Sequence, residues 1–171
     1  MKLAKITVLL TLFSTIYLCT LAVDFIHQSH LKFKVISVNN KTLSEKNFLG
    51  KMTLINFGTL NSEASLKEKI FLQEFINSNR NLDINYIPIL LGEKQQVDSF
   101  IKNNRFSYDF YRDPQNILAN TLAVSIVPSS FILNEDGFLV YKHIGILDFS
   151  NFHNVLETLN KNSKEVFNGK Q

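Results

Sequence analysis

Hydrophobic and polar positions divide the chain into an unbroken apolar start and a longer stretch of changing period. Ile6 to Val23 carries no charge and is interrupted only by Thr, Ser, Tyr and Cys. As a helix, its roughly 18 residues would span about 27 Å, close to the ~30 Å hydrocarbon layer of a bilayer. Asp24 to Lys34 is more polar and reads as a tether. From Val35 the period alternates between strand and helix. Val35–Val38 and the apolar run Met52–Phe57 predict strands, the second of the fully buried kind. Glu63–Asn77 predicts a helix whose apolar face is Leu66, Ile70, Phe71, Leu72, Phe75 and Ile76, with Ser65 and Glu68 as a capping box. Ile84–Leu91 predicts a strand, and Glu93–Asn103 a helix that buries Val97, Phe100 and Ile101. Asp113-Pro114 reads as a helix start, with Asp as the cap and the helix running to about Leu122. Ser130–Leu133 and Phe138–His143 predict two strands joined by the turn Asn134-Glu135-Asp136-Gly137. Ser150 opens a last helix to about Lys161, with Phe152, Val155, Leu156 and Leu159 on its buried face.

The order is a lone strand, then β-α-β-α, then β-β-α. Parallel strands with crossover helices are followed by an antiparallel hairpin, which predicts an α/β fold. Its central sheet should be mixed and flanked by helices on both faces. The expected divisions are an N-terminal anchor over 1–23, a tether over 24–34, a domain over 35–162 and a tail over 163–171.

Charge refines the picture at the N-terminus. Lys2 and Lys5 precede the apolar run, which favours an anchor with its start inside and the domain outside the cytoplasm. A cleaved signal peptide is the alternative, since Thr20-Leu21-Ala22 resembles a cleavage site. The domain would then be secreted. Leu18 before Cys19 does not fit a lipoprotein signal. The frequent Asn, Lys and Ile fit an AT-rich bacterial genome; in a bacterium the anchor would sit in the inner membrane, with the domain in the periplasm.

The net charge of +3 and the scattered lysines offer no basic stripe for nucleic acid, so no nucleic-acid partner is expected. Cys19 is the only cysteine, so the region after the apolar run has no internal disulfide, no thiolate and no cysteine metal site. His27 and His30 lie in the tether with no third ligand beside them, and Asn40-Lys41-Thr42 is a bare glycosylation triplet. No cofactor or metal is expected.

Several passages, in order, resemble the thioredoxin superfamily. The likeness covers roughly residues 35–160. It is greatest to the membrane-anchored, periplasm-facing branch that includes cytochrome c maturation thioredoxins. Leu49-Gly50-Lys51-Met52-Thr53-Leu54-Ile55-Asn56-Phe57 is similar to the family's strand before the active-site loop. Ser62-Glu63-Ala64-Ser65-Leu66-Lys67-Glu68 sits where the family carries Cys-x-x-Cys, basic residues and a glutamate. Ile126-Val127-Pro128-Ser129-Ser130-Phe131-Ile132-Leu133 is similar to its strand with a cis-proline. The resemblance implies a thioredoxin-like fold. It also implies a groove of Gly58, Ser62, Val127 and Pro128, where an extended polypeptide partner would pair with the backbone of Val127; the alternative is that Pro128 only shapes the strand's entry into the sheet.

The departures fall on the reactive positions. Both family cysteines are serine here, Ser62 and Ser65, and Gly58 and Asn61 stand where tryptophans are usual. The proline that kinks the following helix would fall near Ile70. The resemblance places the family's chemistry in a thiolate stabilised at a helix N-terminus and resolved across one turn by a second thiol. A serine hydroxyl stays protonated and forms no disulfide, so the expected catalytic set is empty. Ser62 and Ser65 would instead cap the helix. Two readings of the function stay open. One is a redox-inactive binding or assembly module. The other is a protein of redox homeostasis or cytochrome c maturation that acts with a cysteine-bearing partner. A serine hydrolase would need a base, and outside the tether only His143 and His153 are available. A peroxiredoxin's Thr-x-x-Cys is matched in spacing by Thr59-Leu60-Asn61-Ser62, again without sulfur, and copper(I) would lack its thiolates.

Overall fold

The computed structural model describes residues 30–79 and 82–168, the side chains of 160 and 162–168 excepted. The expected anchor over 1–23, Cys19, His27 and the first part of the tether lie outside these residues. Among the described residues no helix is long and apolar enough to cross a membrane.

The compact unit opens at Leu31. Its elements are β1 (Lys34–Ser37), β2 (Thr42–Ser44), a 3₁₀ turn (Glu45–Asn47), β3 (Met52–Thr59), α1 (Glu63–Ser78), β4 (Ile84–Leu91), α2 (Lys94–Asn104), β5 (Tyr111–Arg112), α3 (Ile117–Thr121), β6 (Ser129–Leu133), β7 (Leu139–Ile144) and α4 (Phe152–Asn168). The seven-stranded sheet runs β2-β1-β5-β4-β3-β6-β7. β3 and β4 pair in parallel, as do β4 and β5, whereas β6 runs antiparallel to β3 and β7 antiparallel to β6. This is the mixed sheet the sequence predicts.

Alternation along β3 explains the two faces. Ile55 and Phe57 join Val35, Ile87, Ile89 and Phe131 in one core, which Leu118 and Leu122 of the α3 region close. Met52 and Leu54 join Ile132 in a second core, closed by Leu72 of α1 and by Phe152 and Leu156 of α4. Helices therefore cover both faces.

Four boundaries differ from expectation. The tether ends earlier than Lys34, because Leu31 and Phe33 are buried in the core and β1 begins at Lys34 itself. A polar count over 24–34 hides two apolar anchors placed two residues apart. The last helix continues to Asn168, so no separate tail begins at 163. It begins at Phe152, tied back to Asp148, whose carbonyl accepts the N–H of Phe152 and whose carboxylate accepts the N–H of Ser150. Asp113 does cap α3, but from outside it. Its buried carboxylate accepts N–H groups from Ile117 at 3.0 Å and Ala119 at 2.8 Å, while the helix itself begins at Ile117 rather than at Pro114.

Candidate functional site

At the end of β3 the face turned towards α1 changes from apolar to polar. Met52 and Leu54 give way to Asn56 and then Gly58. β6 does the same on its matching face, where Ile132 gives way to Ser130. The register sets Asn56 opposite Ser130. Over this polar floor α1 lays Ser65, Glu68, Lys69 and Leu72, which are its buried residues. The offsets of three, four and seven place them on one helical face.

This corrects the expected helix. Its most buried stripe is polar at the N-terminal end, and Ile70 points outward at 40% exposure. Ser65 and Glu68 do not form a capping box. The N-cap is Ser62, whose hydroxyl oxygen accepts the N–H of Ser65 at 3.1 Å. Ser65, one turn further in, accepts the N–H of Thr59 at 3.3 Å. Replacing Ser62 with alanine should lower the unfolding free energy by about 1 kcal/mol in urea titrations, the ordinary value of such a cap. An unchanged midpoint would show that this hydrogen bond adds nothing.

Burying a carboxylate and an ammonium is costly unless each finds partners. Here the Asn56 amide serves both. Its Nδ2 donates to Glu68 Oε1 and, at 2.9 Å, to Ser130 Oγ. Its Oδ1 accepts from Lys69 Nζ at 2.7 Å, and its backbone carbonyl accepts from the same nitrogen at 3.3 Å. Ser130 Oγ donates to Glu68 Oε1 at 3.2 Å, and the N–H of Leu147 donates to Oε2 at 2.8 Å. Lys69 Nζ also lies 5.8 Å from the centroid of the Phe110 ring. Burial dominates both titrations. It raises Glu68 above the ordinary carboxylate value, against the pull of the Leu147, Ser130 and Asn56 donors and of Lys69. It lowers Lys69 to about 7, with the Glu68 charge resisting.

Gly58 is required by close approach. A Cβ there would lie 3.0 Å from Ser65 Cβ and 3.1 Å from Lys69 Cε. The Val127–Pro128 peptide bond is cis. The Phe57–Ser129 pairing, carried one step on, sets Pro128 beside Gly58. Pro128 is buried, Val127 is half-buried, and the Pro128 carbonyl accepts the N–H of Gly145 at 2.9 Å. Gly58, Ser65, Val127 and Pro128 thus meet at one end of the sheet, with half-buried Ser62 at its lip.

Neither histidine activates the serines. His143 Nε2 is bonded to the Ile146 carbonyl at 2.8 Å, and His153 pairs with Glu157 at 3.2 Å. Among the described residues no cluster of His, Cys, Asp or Glu could hold a metal ion. Reading for apolar periodicity missed Asn56, Lys69 and Ser130, and missed Glu68 as a buried group. Polar residues on the inward alternation of two otherwise apolar strands were the available signal.

A family model described as the AhpC/TSA family matches residues 26–142. The sporulation thiol-disulfide oxidoreductase A of Bacillus subtilis (strain 168) is 26% identical over 114 residues, which cover 64% of this chain and 64% of that protein. The match thus spans under two thirds of that relative's length. Among solved structures, a thioredoxin candidate from Neisseria meningitidis superposes with a TM-score of 0.70 at 19% identity, covering 78% of this chain and 91% of that one. The exposed lipoprotein thioredoxin of Streptococcus pneumoniae gives 0.67 at 20% identity, covering 75% of this chain and 100% of that one. These likenesses show a thioredoxin-like fold.

Proposed function

The chain belongs to the AhpC/TSA family, a thiol-disulfide oxidoreductase-like family with a thioredoxin-like fold, and on that premise we propose that it binds polypeptide without redox chemistry of its own. The observation that carries this reading is the serine pair. Ser62 caps α1 and Ser65 lies in its first turn, and each hydroxyl oxygen already accepts a backbone N–H. A hydroxyl there stabilises the fold, but it cannot carry the thiolate attack or the disulfide that the chemistry needs.

The proposed binding surface is the groove of Gly58, Ser62, Val127 and Pro128. An extended segment would run past Val127 and pair with its backbone, as in strand addition. In this reading the apolar N-terminus tethers the domain to a bacterial inner membrane on the periplasmic side. The module would position a partner there rather than oxidise or reduce it.

A carboxymethylated unfolded polypeptide, which has no free thiol, is the test ligand. In fluorescence anisotropy it should bind the wild-type chain, and Pro128→Ala should weaken binding roughly tenfold by displacing the Val127 backbone. Insulin reduction by the wild-type chain should match the buffer rate. No binding to either form, or measurable turnover, would refute the reading.

A further inference from the structure

We propose that Glu68 is a pH-responsive latch that holds the loop after β7 against the Pro128 end of the sheet. The loop runs from Gly145 to Asn151, between β7 and α4. Several bonds close it. Gly145 N–H donates to the Pro128 carbonyl at 2.9 Å, His143 Nε2 meets the Ile146 carbonyl at 2.8 Å, and Leu147 N–H donates to Glu68 Oε2 at 2.8 Å. The last reaches deepest, because Glu68 is 0% exposed and Leu147 packs in the core with Leu72, Ile132 and Phe152. The other Glu68 oxygen is held by Asn56 and Ser130. One carboxylate therefore joins α1, the centre of the sheet and the loop beside the candidate groove. Outside the latch three isoleucines are exposed. Ile144 and Ile146 are 40% and 52% exposed, and Ile126, before Val127, is 58% exposed.

Protonating Glu68 turns a charge-assisted bond into a neutral one of about half the strength. The groups that face the carboxylate decide when this happens. Lys69 from the same helix, Tyr86 from β4 and Tyr141 from β7 act on it directly, while Tyr108 before β5 lies against Tyr86, and His143 of β7 acts on Asp148 of the loop. The tyrosines Tyr86, Tyr108 and Tyr141 are all held above the usual phenol range by burial, so they stay neutral below it. Asp148 is lowered chiefly by its Ser150 hydrogen bond and stays charged. Lys69, charged on acidification, favours ionised Glu68, whereas burial favours the neutral acid and prevails. The Ile146 carbonyl can only accept, so His143 holds it through an Nε2–H that either charge state of the ring can supply. Acid therefore acts on the Leu147 bond and spares the other two.

The latch bears on the groove proposed above, but its test needs no ligand, so the two readings fail separately. Amide hydrogen exchange of the full chain, corrected for intrinsic rates, is followed from about pH 8 down to about pH 4, below the ordinary carboxylate value of 4.5 above which burial places Glu68. Protection at Leu147 should fall roughly tenfold as Glu68 titrates, with amides of β3 and β6 unchanged. Glu68→Gln, a mimic of the neutral acid, should give weak Leu147 protection at every pH. Should that variant not fold, the wild-type profile alone decides. Protection at Leu147 that is constant with pH, or that falls together with β3 and β6, overturns the latch.

Discussion

Replacing Lys69 with methionine should abolish a rise in stability that the wild-type domain shows from neutral towards alkaline pH. In the folded protein burial lowers Lys69 from 10.5 to about 7. Between those values the unfolded chain holds a proton that the folded chain lacks. Stability must then increase with pH, by up to about 1.4 kcal/mol per unit. The penalty is greatest below the folded value, where the ammonium stays charged in the core in the folded chain but is fully solvated in the unfolded one. Methionine has a similar length and no charge. Relative to wild type, the variant should therefore be best placed at pH 7 and lose its advantage steadily as pH rises, by a few kcal/mol in all. Losing Lys69 as donor to Asn56 Oδ1 and to the Asn56 carbonyl subtracts a constant amount and leaves the slope intact. Burial holds Tyr86 and Tyr108 above their ordinary value, which opposes the rise once phenols titrate in the unfolded chain, so the useful window closes near pH 10. Urea midpoints of residues 31–171, taken across that window, give the two slopes. Parallel curves for wild type and variant would mean that Lys69 titrates as an exposed lysine does.

The order of strands and helices was legible because most elements contrast with their flanks in apolar period. β4 was bounded at Ile84 and Leu91, and α1 and α2 to within a residue at each end. β5 and β2 were missed, being two and three residues long, too short for any period to show. The site was legible in a different way. Ser62, Ser65, Val127 and Pro128 could be placed only through a motif resemblance, since nothing in their own hydropathy singles them out. The network beneath them was hidden by the rule that found the helix. Apolar periodicity assigns Ile70 inward and Lys69 outward, and the structure does the reverse. The cause lies across the sheet, where Asn56 and Ser130 need partners and α1 turns Glu68 and Lys69 towards them. A helix read alone cannot report what its neighbours lack.

Placing sulfur at both positions should bring the activity that the proposed reading denies the wild-type chain. In Ser62→Cys/Ser65→Cys the thiolate of residue 62 would take the place of an oxygen that already accepts the N–H of residue 65 at 3.1 Å. That N–H, with the unpaired donors of the first turn and the helix dipole, favours the anion and lowers the thiol pKa. Residue 65 lies one turn away, buried beside Gly58, in the position of the resolving thiol. With dithiothreitol as the electron source, the double variant should reduce insulin roughly tenfold faster than buffer does, while wild type matches buffer. Ser62→Cys alone should attack a disulfide and stall as the mixed disulfide, because residue 65 then has no sulfur to release it. Ser65→Cys alone should be slow to react, since the side chain it replaces is buried. This ordering separates a site with intact geometry from one that has merely gained two thiols. If the folded double variant is inert and its thiols titrate as ordinary cysteines, the first turn of α1 needs more than two sulfurs to react.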